Sequence, residues 1–468
     1  MCSYLLSPCA CLKHGGALIY DIAHRIKDIR ERLAEVALTN KDQLHLLPSH
    51  SHAEPQQPPQ FTSSVVDEPE IFGRDLDKQI DDIENPSIYE AKKLRTLVGK
   101  ASKSVPSALH QLTCLRTLDL SHPYYTLGSA LEGLPSEVNR LLHLRYLDLS
   151  NTRLKELPET VRSLVNLQTL KLNRCYYLCK LPEVIGELSN LRHLEVENTR
   201  SLKYYSRGGI KRLSQLRTLS KFVVNDEWSV IGELGNLNFL QGRLDIRGLR
   251  HVKSVNEAKQ AELQKKKNIS ALLLNFGYKE YEPDIGHVSS EEEIRRMEGV
   301  LENLEPHKES LERLEIQNYV GSTLPTWMMS NITYLLLMCC PNLKVEPQYL
   351  FPPRLESLEL LEDVGVLSKS LMSLTHNNNS LKSLSISSFP HSSLPQGLNQ
   401  LTSLQQLIFN SCKYLDFKPE ELKPLIMLRK LDIFHCPIMT ERSREEDWSI
   451  LTDIPNIEID DKDIKSRN

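Results

Sequence analysis

Residues that could carry out catalysis occur in this chain of 468 residues without the spacing that catalysis needs. No serine stands in a G-x-S-x-G turn, which would expose a nucleophile at the end of a strand. The phosphate-binding loop G-x-x-x-x-G-K followed by Ser or Thr is absent, because Gly99-Lys100 is followed by Ala101. Neighbouring Cys339 and Cys340 lack the paired C-x-x-C and histidine spacing of a zinc site. The sequence predicts no catalytic, cofactor-binding or metal-binding residues, and therefore a protein that is not an enzyme.

The other chemistry open to these side chains is recognition of a second protein. Acidic residues recur in the middle of short L-x-L triplets, with Lys171 as the main exception, and arginines recur at the starts of the same segments. The acids could attract a basic partner, or they could pair with charges on neighbouring segments. Tyr146, Tyr334, His193 and Arg313 are the better anchor candidates, since interface hot spots favour Tyr, Trp and Arg. The arginines are Arg116, Arg145, Arg192 and Arg217, and the acids are Asp119, Asp148, Glu195, Asp245, Glu315, Glu359 and Asp432. The predicted protein-binding residues are Asp119, Tyr146, Asp148, Lys171, His193, Glu195, Arg313, Glu315, Tyr334 and Glu359.

Composition limits the class of protein further. Lys and Arg number 57 against 61 Asp and Glu, for a formal net charge of −4, which excludes a uniformly basic nucleic-acid binder. No apolar run approaches the roughly 20 residues of a membrane-spanning helix. The N-terminus has no basic segment before its short apolar stretch, so it is a poor export signal. The sequence predicts a cytoplasmic protein with no nucleic-acid partner and no integral membrane segment.

The elements that position these side chains come from an internal repeat. The pattern L-x-x-L-x-L-x-x-(N/C)-x-x-L returns about every 21–29 residues, with one or two longer gaps. Its alternating leucines predict a strand with one buried face, and no single copy can bury those leucines alone. Good copies begin at Leu115, Leu144, Leu167, Leu191, Leu311, Leu355, Leu381, Leu404 and Leu428, and weaker ones near Leu94, Leu216, Gln241, Ile269 and Ile332.

Stacking of these copies predicts an α/β fold, a leucine-rich-repeat solenoid in the form of a horseshoe with a parallel sheet on its concave side. Cysteines at the N/C position are expected to be buried structural thiols. Two capping-box patterns, at Ser254 and Ser290, predict helices that interrupt the repeat. The N/C cysteines are Cys175, Cys340, Cys412 and Cys436.

A short helix and a linker are expected ahead of the array. Apolar residues at spacings of 3 and 4 over 19–36 predict a single amphipathic helix at about 17–39, within a segment 1–47. The segment 48–92 is rich in Pro, Gln, Ser and His toward its start, which favours a flexible, disordered linker. The array is then expected to occupy 93–460, and 461–468 to form a tail.

Several phrases resemble plant coiled-coil nucleotide-binding leucine-rich-repeat disease-resistance proteins. DIAHRIKDIRERLAEVA resembles the last helix of their coiled-coil domain, VDEPEIFGRDLDKQI the sequence before their nucleotide-binding domain, and IYEAKKLRTL the entry to their repeats. Further family phrases are EAKQAELQKKKNISALLLNF, YVGSTLPTWM and EEDWSILTDIPNIEID, and all occur in the family's order. The resemblance implies a recognition module of an immune receptor that senses a pathogen effector or a guarded host protein.

One departure from the family changes that expectation. Gly73-Arg74-Asp75 is followed within about ten residues by the entry to the repeats, where the family has a nucleotide-binding domain. The resemblance is therefore to a receptor truncated so that it lacks this domain. Two alternatives stay open: a nucleotide-switched signalling ATPase whose switch domain is missing from the gene model, or a regulatory truncated receptor that pairs with full-length relatives through the 19–36 helix.

Overall fold

The computed structural model describes residues 77–463, apart from 81–82, 84, 101–103, 123–130, 278–288, 345–350, 376–379, 446–447, 452 and 461. The described residues all belong to one compact unit, 63–468. The helix expected at 17–39, most of the linker expected at 48–92 and most of the tail lie outside them.

Each of the fourteen predicted copies of the repeat is followed by a strand of a parallel ladder, which confirms the predicted α/β solenoid. The first run of the ladder contains β1 (Asp77–Ile80), β2 (Thr96–Gly99), β3 (Thr117–Asp119), β4 (Tyr146–Asp148), β5 (Thr169–Lys171), β7 (His193–Glu195) and β9 (Thr218–Leu219). The second run contains β10 (Lys221–Val223), β11 (Gln241–Arg247), β12 (Asn268–Asn275), β13 (Arg313–Gln317), β14 (Tyr334–Met338), β15 (Ser357–Leu361), β16 (Ser383–Ser387), β17 (Gln406–Asn410), β18 (Lys430–Phe434), β19 (Asn456–Ile459) and the antiparallel β20 (Lys462–Asp463). A separate small sheet pairs β6 (Lys180–Leu181) with β8 (Tyr204–Tyr205).

The register of the ladder places equivalent residues side by side. Leu118 pairs with Leu147, Leu147 with Leu170 and Leu170 with Leu194, and all four are buried. Successive side chains of a strand point to opposite faces, so the residues between the leucines share the other face, which we call the open face. The leucines of neighbouring coils form one continuous hydrophobic core.

The ladder is interrupted at Ser220, between β9 and β10. Ser220 still donates its N–H to the Leu194 carbonyl at 3.2 Å, and Gln241 donates to the Arg217 carbonyl at 2.8 Å, so the backbone contacts continue across the break. Lys221 is buried, and its Nζ donates to the Thr199 carbonyl at 2.8 Å. At the break the Lys221 side chain therefore points inward. The core is not divided there, because the backbone contacts continue.

The side of each coil away from the sheet is made of short 3-10 helices. In four consecutive coils a proline stands at the N-cap, in the extended conformation that precedes the helix, and an i to i+3 hydrogen bond closes the turn. The apolar residues of this side are buried, in turns that are too short for an α-helix. The 3-10 helices of the first coils are Ser107–Gln111, Ser136–Arg140, Glu159–Ser163, Glu183–Glu187, Ile210–Arg212 and Ile231–Leu234.

Two α-helices interrupt the repeat where the capping boxes predicted them. Val255–Lys259 begins after Ser254, whose hydroxyl accepts from the Glu257 N–H, and it spans five residues. Glu291–Glu302 begins after Ser290, whose hydroxyl accepts from the Glu293 N–H at 3.2 Å, and buries Met297 and Leu301. Two further helices are Met372–Thr375 and Pro437–Glu445.

A strand and a 3-10 helix lie ahead of residue 93, where the sequence placed the start of the repeat array. β1 pairs in parallel with β2, and the 3-10 helix Pro86–Glu90 buries Ile88 and Tyr89 within the segment expected to be linker. Tyr89 donates its hydroxyl to the Ile83 carbonyl at 2.6 Å. The first coil of a repeat array has no neighbour to cover its apolar side, and these residues supply that cover.

Candidate functional site

The open face of the sheet carries the ten predicted protein-binding residues, but in two groups. Asp119, Tyr146, Asp148, Lys171, His193 and Glu195 lie on β3 to β7, and Arg313, Glu315, Tyr334 and Glu359 lie on β13 to β15. Three coils separate the groups, the first carrying β9 and β10, the second β11 and the third β12. At about 4.8 Å per coil the groups lie roughly 19 Å apart.

The first group is tied together by polar contacts. Tyr146 donates its hydroxyl to Asp148 at 3.0 Å, and Lys171 forms an ion pair with Glu195 at 3.3 Å and lies 6.0 Å from the centre of the Tyr146 ring. Burial and the nearby Asp148 carboxylate raise the pKa of the Tyr146 hydroxyl, so it stays protonated and acts as a donor. Lys171 therefore contacts the Glu195 carboxylate directly, and it is linked to the Asp148 carboxylate through the ring and hydroxyl of Tyr146.

His193 and Asp119 flank this group. His193 places its Nδ1 3.0 Å from the Thr218 hydroxyl, and burial lowers the pKa of its imidazole, so it is neutral near pH 7. Asp119 accepts the Ser121 N–H at 2.9 Å, which fixes the carboxylate at the end of its strand. Both side chains remain partly exposed and available for contact.

The second group is centred on Tyr334. The Arg313 guanidinium stacks on its ring at 3.8 Å, within the range of a strong cation–π contact. Burial and a hydrogen bond to Glu359 raise the pKa of the Tyr334 hydroxyl. Glu315 pairs with Arg243 at 2.9 Å, two strands away. The aromatic ring is thus held rigidly between an arginine and a carboxylate.

The acidic residues of the open face are largely paired. Asp245 pairs with Arg247 at 2.8 Å and Asp432 with Lys430 at 2.8 Å, and the carboxylates of both acids are buried beneath their partners. Glu195 and Glu315 pair with cations on other coils, as the alternative of charge pairing between coils expects, whereas Asp245 and Asp432 pair within their own strands. This geometry favours charge pairing over a free acidic stripe.

The sequence analysis missed an apolar part of the open face. On β14 and β15, Leu336, Met338 and Leu361 lie at outward positions and are only half-buried, and Met338 is directly opposite Leu361 in the register. They lie beside Tyr334 and Glu359. The signal was present in YLLLM and SLELL, where apolar residues occupy positions that alternation reserves for polar ones.

A polar cavity of about 300 Å³ adjoins the first group, at the ends of β3 to β7. Asp148 and Lys171 reach it from the predicted group, and Ser150, Asn173 and Glu197 follow the strands. Asn173 donates to Glu195 at 2.9 Å and accepts the Glu197 N–H at 2.8 Å. Within the described ranges no three His, Cys, Asp or Glu side chains are arranged to hold a metal ion, and no helix is long and apolar enough to cross a membrane.

Known proteins match the repeat. A family model described as a leucine-rich repeat region matches residues 93–350. Disease resistance protein RGA2 of Solanum bulbocastanum is 33% identical over 239 residues, which cover 46% of this chain and 23% of that protein. A provisionally named disease resistance protein of Arabidopsis thaliana is 32% identical over 413 residues, 82% of this chain and 27% of its own length.

The chain thus spans about a quarter of the length of these relatives. Among solved structures, a leucine-rich repeat protein of Leptospira interrogans is 20% identical with a TM-score of 0.44, over 81% of this chain and 88% of that one. Likeness at that level says nothing about function.

Proposed function

The chain belongs to the leucine-rich repeat family, and from that premise we propose that its open face binds another protein in plant defence, as the non-catalytic sensing part of an immune receptor. The observation that carries the proposal is the group around Tyr334. A rigid aromatic ring stacked on Arg313 lies beside half-buried Leu336, Met338 and Leu361. An apolar centre with Tyr and Arg anchors and a polar rim is the composition of a protein interface.

The proposal extends to the other group and to the partner. We propose that Tyr146, His193 and the carboxylates around them form a polar rim of the same surface, and that the partner is a pathogen effector or a guarded host protein. The disease resistance relatives support this choice of partner. The cytoplasmic location expected from the sequence belongs to the same proposal, and fractionation of leaf tissue with an antibody to the chain tests it.

A charged side chain placed in the apolar centre tests the function. Leu336→Lys puts a cation where a partner would bury a methyl surface, while Ile426→Lys makes the same change at an exposed turn residue far along the array. Both variants and the parent chain are immobilised and exposed to extracts of healthy and infected leaves, and retained proteins are identified by mass spectrometry.

We expect a protein retained by the parent chain and by Ile426→Lys, and reduced at least about tenfold on Leu336→Lys. Matching circular dichroism and unfolding temperatures of the two variants would exclude a folding defect. Equal retention on all three chains would contradict the assignment of this surface.

A further inference from the structure

A row of arginines lies along the start of the first strands. We define the arginine row as Arg95, Arg116, Arg145, Arg192 and Arg217, with Gln168 between the third and the fourth. Consecutive members are joined by backbone hydrogen bonds of 2.7–2.8 Å, from Arg116 to the Arg95 carbonyl through to Arg217 and the Arg192 carbonyl. Six strands at about 4.8 Å give the row a length of roughly 24 Å.

The guanidinium groups of the row are exposed and unneutralised. All five arginines are exposed, and none makes an ion pair or a side-chain hydrogen bond with any described residue. Arg192 and Arg217 act on neighbouring His193, where their positive charge adds to burial in lowering the pKa of the imidazole. The charges of the row therefore face solvent without a partner inside the described part of the chain.

The six four-residue segments that carry the arginine row contain no Asp or Glu. The six segments that carry it read KLRT, CLRT, HLRY, NLQT, NLRH and QLRT, at residues 93–96, 114–117, 143–146, 166–169, 190–193 and 215–218. In the later coils the same position holds Glu312 and Glu356, and Lys382 there pairs with Glu356 at 2.9 Å. Arg429 also occupies this position in a later coil, so what distinguishes the first six coils is a run of five arginines with Gln168 alone among them.

An exposed row of arginines without partners among the described residues fits a negatively charged partner. We propose that the arginine row docks an extended acidic protein segment, of about seven residues given roughly 3.3 Å per extended residue. This inference rests on the proposed function of protein recognition and gives it a second, chemically defined surface. Arginine suits the role because its guanidinium binds carboxylates in a two-pronged, planar geometry.

Two observations favour a protein segment over a nucleic acid. Exposed Leu142 and Val165, at 53% and 46% relative exposure, precede Arg145 and Gln168 by three residues and offer apolar contact that a phosphate chain does not use. The acidic positions Asp119, Asp148 and Glu195 lie three residues beyond the row, about 10 Å along the strands. A duplex, whose major groove alone is about 12 Å wide, would overlie the partly exposed Asp119 carboxylate and be repelled by it.

Fluorescence anisotropy with simple probes tests the proposal. The full chain is titrated against labelled octaglutamate, octalysine and an eight-nucleotide oligothymidylate at low and physiological salt. The test variant is Arg116→Gln/Arg145→Gln/Arg192→Gln, and the matched control is Arg153→Gln/Arg207→Gln/Arg212→Gln, which removes three exposed charges outside the row. Gln168→Arg fills the gap in the row.

We expect octaglutamate to bind and to weaken with salt, because exposed charges are screened over about 8 Å at physiological ionic strength. The row variant should lose about tenfold in affinity, the control less than twofold, and Gln168→Arg should gain about two- to fivefold, the range for one exposed ion pair. Arg→Glu changes at 116, 145 and 192 should transfer binding to octalysine.

Equal losses in the row variant and the control would overturn the proposal, as would binding of oligothymidylate in preference to octaglutamate. Leu336→Lys should leave octaglutamate binding unchanged. The leaf-extract experiment therefore tests the apolar centre and octaglutamate binding tests the arginine row, so either proposal can fail without the other.

Discussion

At the scale of single residues, position in the coil decides how a polar side chain is used. The four cysteines at the N/C position are all buried, as predicted, and Cys175 donates its thiol to the Leu149 carbonyl at 3.1 Å. The same carbonyl also accepts the Thr152 hydroxyl at 2.8 Å, so the thiol adds a second bond to a backbone group at the bend of the coil. Burial raises the pKa of the Cys175 and Cys340 thiols, which keeps both protonated and unreactive.

Lys266 gives a residue-scale prediction about pH. It is fully buried, and burial lowers the pKa of its ammonium from 10.5 to about 8. Below about pH 8 the folded chain holds a buried charge, and between about 8 and 10.5 the folded state has lost the proton that the unfolded state still binds, so stability rises with pH in that window. Lys266→Met should therefore be more stable than the parent chain at pH 7, by about 3 kcal/mol at most from 1.36 kcal/mol per pKa unit.

Urea denaturation at pH 7 and pH 10 measures this difference, which should shrink at the higher pH. Lys265→Met is the control, because Lys265 is exposed and pairs with Glu262 at 2.7 Å. A constant advantage of Lys266→Met at both pH values would contradict the buried charge as its cause, and a lower stability of the variant at pH 7 would show that the lost bond from Lys266 to the Glu262 carbonyl outweighs it.

At the scale of elements, the insertions are fastened to the array by specific bonds. The helix Glu291–Glu302 contacts the preceding coils through Arg250, whose side chain is 1% exposed and pairs with Glu293 at 2.8 Å. Arg296 of the same helix donates to the carbonyls of Arg250 and Val252. The helix is therefore part of the folded unit.

Removing one partner of that pair gives an element-scale prediction. Glu293→Ala leaves the buried Arg250 charge without its carboxylate, which should lower the free energy of unfolding by about 3–5 kcal/mol. Glu292→Ala, one residue earlier and exposed, should change it by less than about 1 kcal/mol. The double variant Arg250→Met/Glu293→Ala should recover part of the loss, and a double-mutant cycle by urea denaturation that shows simple additivity would refute the coupling.

The sequence predicted the strands of the repeat, but it did not predict the strand β1 or the break in the ladder at Ser220. Leu118, Leu147 and Leu170 alternate with polar residues, so one-sided burial follows directly from the spacing. β1 has the sequence DKQI, without that alternation, and is a strand because it pairs with β2. The break at Ser220 depends on Lys221 reaching Thr199, 22 residues earlier, and no local pattern contains that information.

The sequence predicted which residues lie on the open face, but it did not predict which of them interact. Each of the ten residues lies on a strand of the ladder, because the repeat fixes which positions are outward. Which of them interact follows from cross-strand register and side-chain length, as in the pairing of Arg243 with Glu315 across an intervening strand. Leu336 and Met338 were missed although the same repeat places both at outward positions, because the expected contacts were charged and aromatic residues.

At the scale of the whole molecule, each coil contacts mainly its neighbours, so stability should be local. Leu194→Ala removes a fully buried side chain from β7, and such changes cost about 2–5 kcal/mol. Because a repeat array behaves as a chain of nearest-neighbour contacts, amide exchange should accelerate in β5, β7 and β9 and stay slow in β14 to β18.

Hydrogen–deuterium exchange with mass spectrometry checks this prediction. Leu384→Ala, a fully buried leucine of β16, is the reciprocal control and should loosen β15 to β17 while leaving β3 to β7 protected. Uniform acceleration along the array in either variant would mean that the two runs of the ladder unfold as one cooperative block.

The in-register ladder also bears on how such a surface can evolve. Neighbouring parallel strands meet with equivalent residues side by side, apart from a register shift between Gly242 and Arg243 of β11, so duplicating or deleting one of the regular coils leaves the remaining pairings intact. Such an event would move the Tyr334 group relative to the Tyr146 group by one strand spacing, about 4.8 Å. Unequal crossing-over between repeats could therefore adjust the distance between two contact groups in fixed steps, while point substitutions at outward positions alter their chemistry without disturbing the leucines beneath.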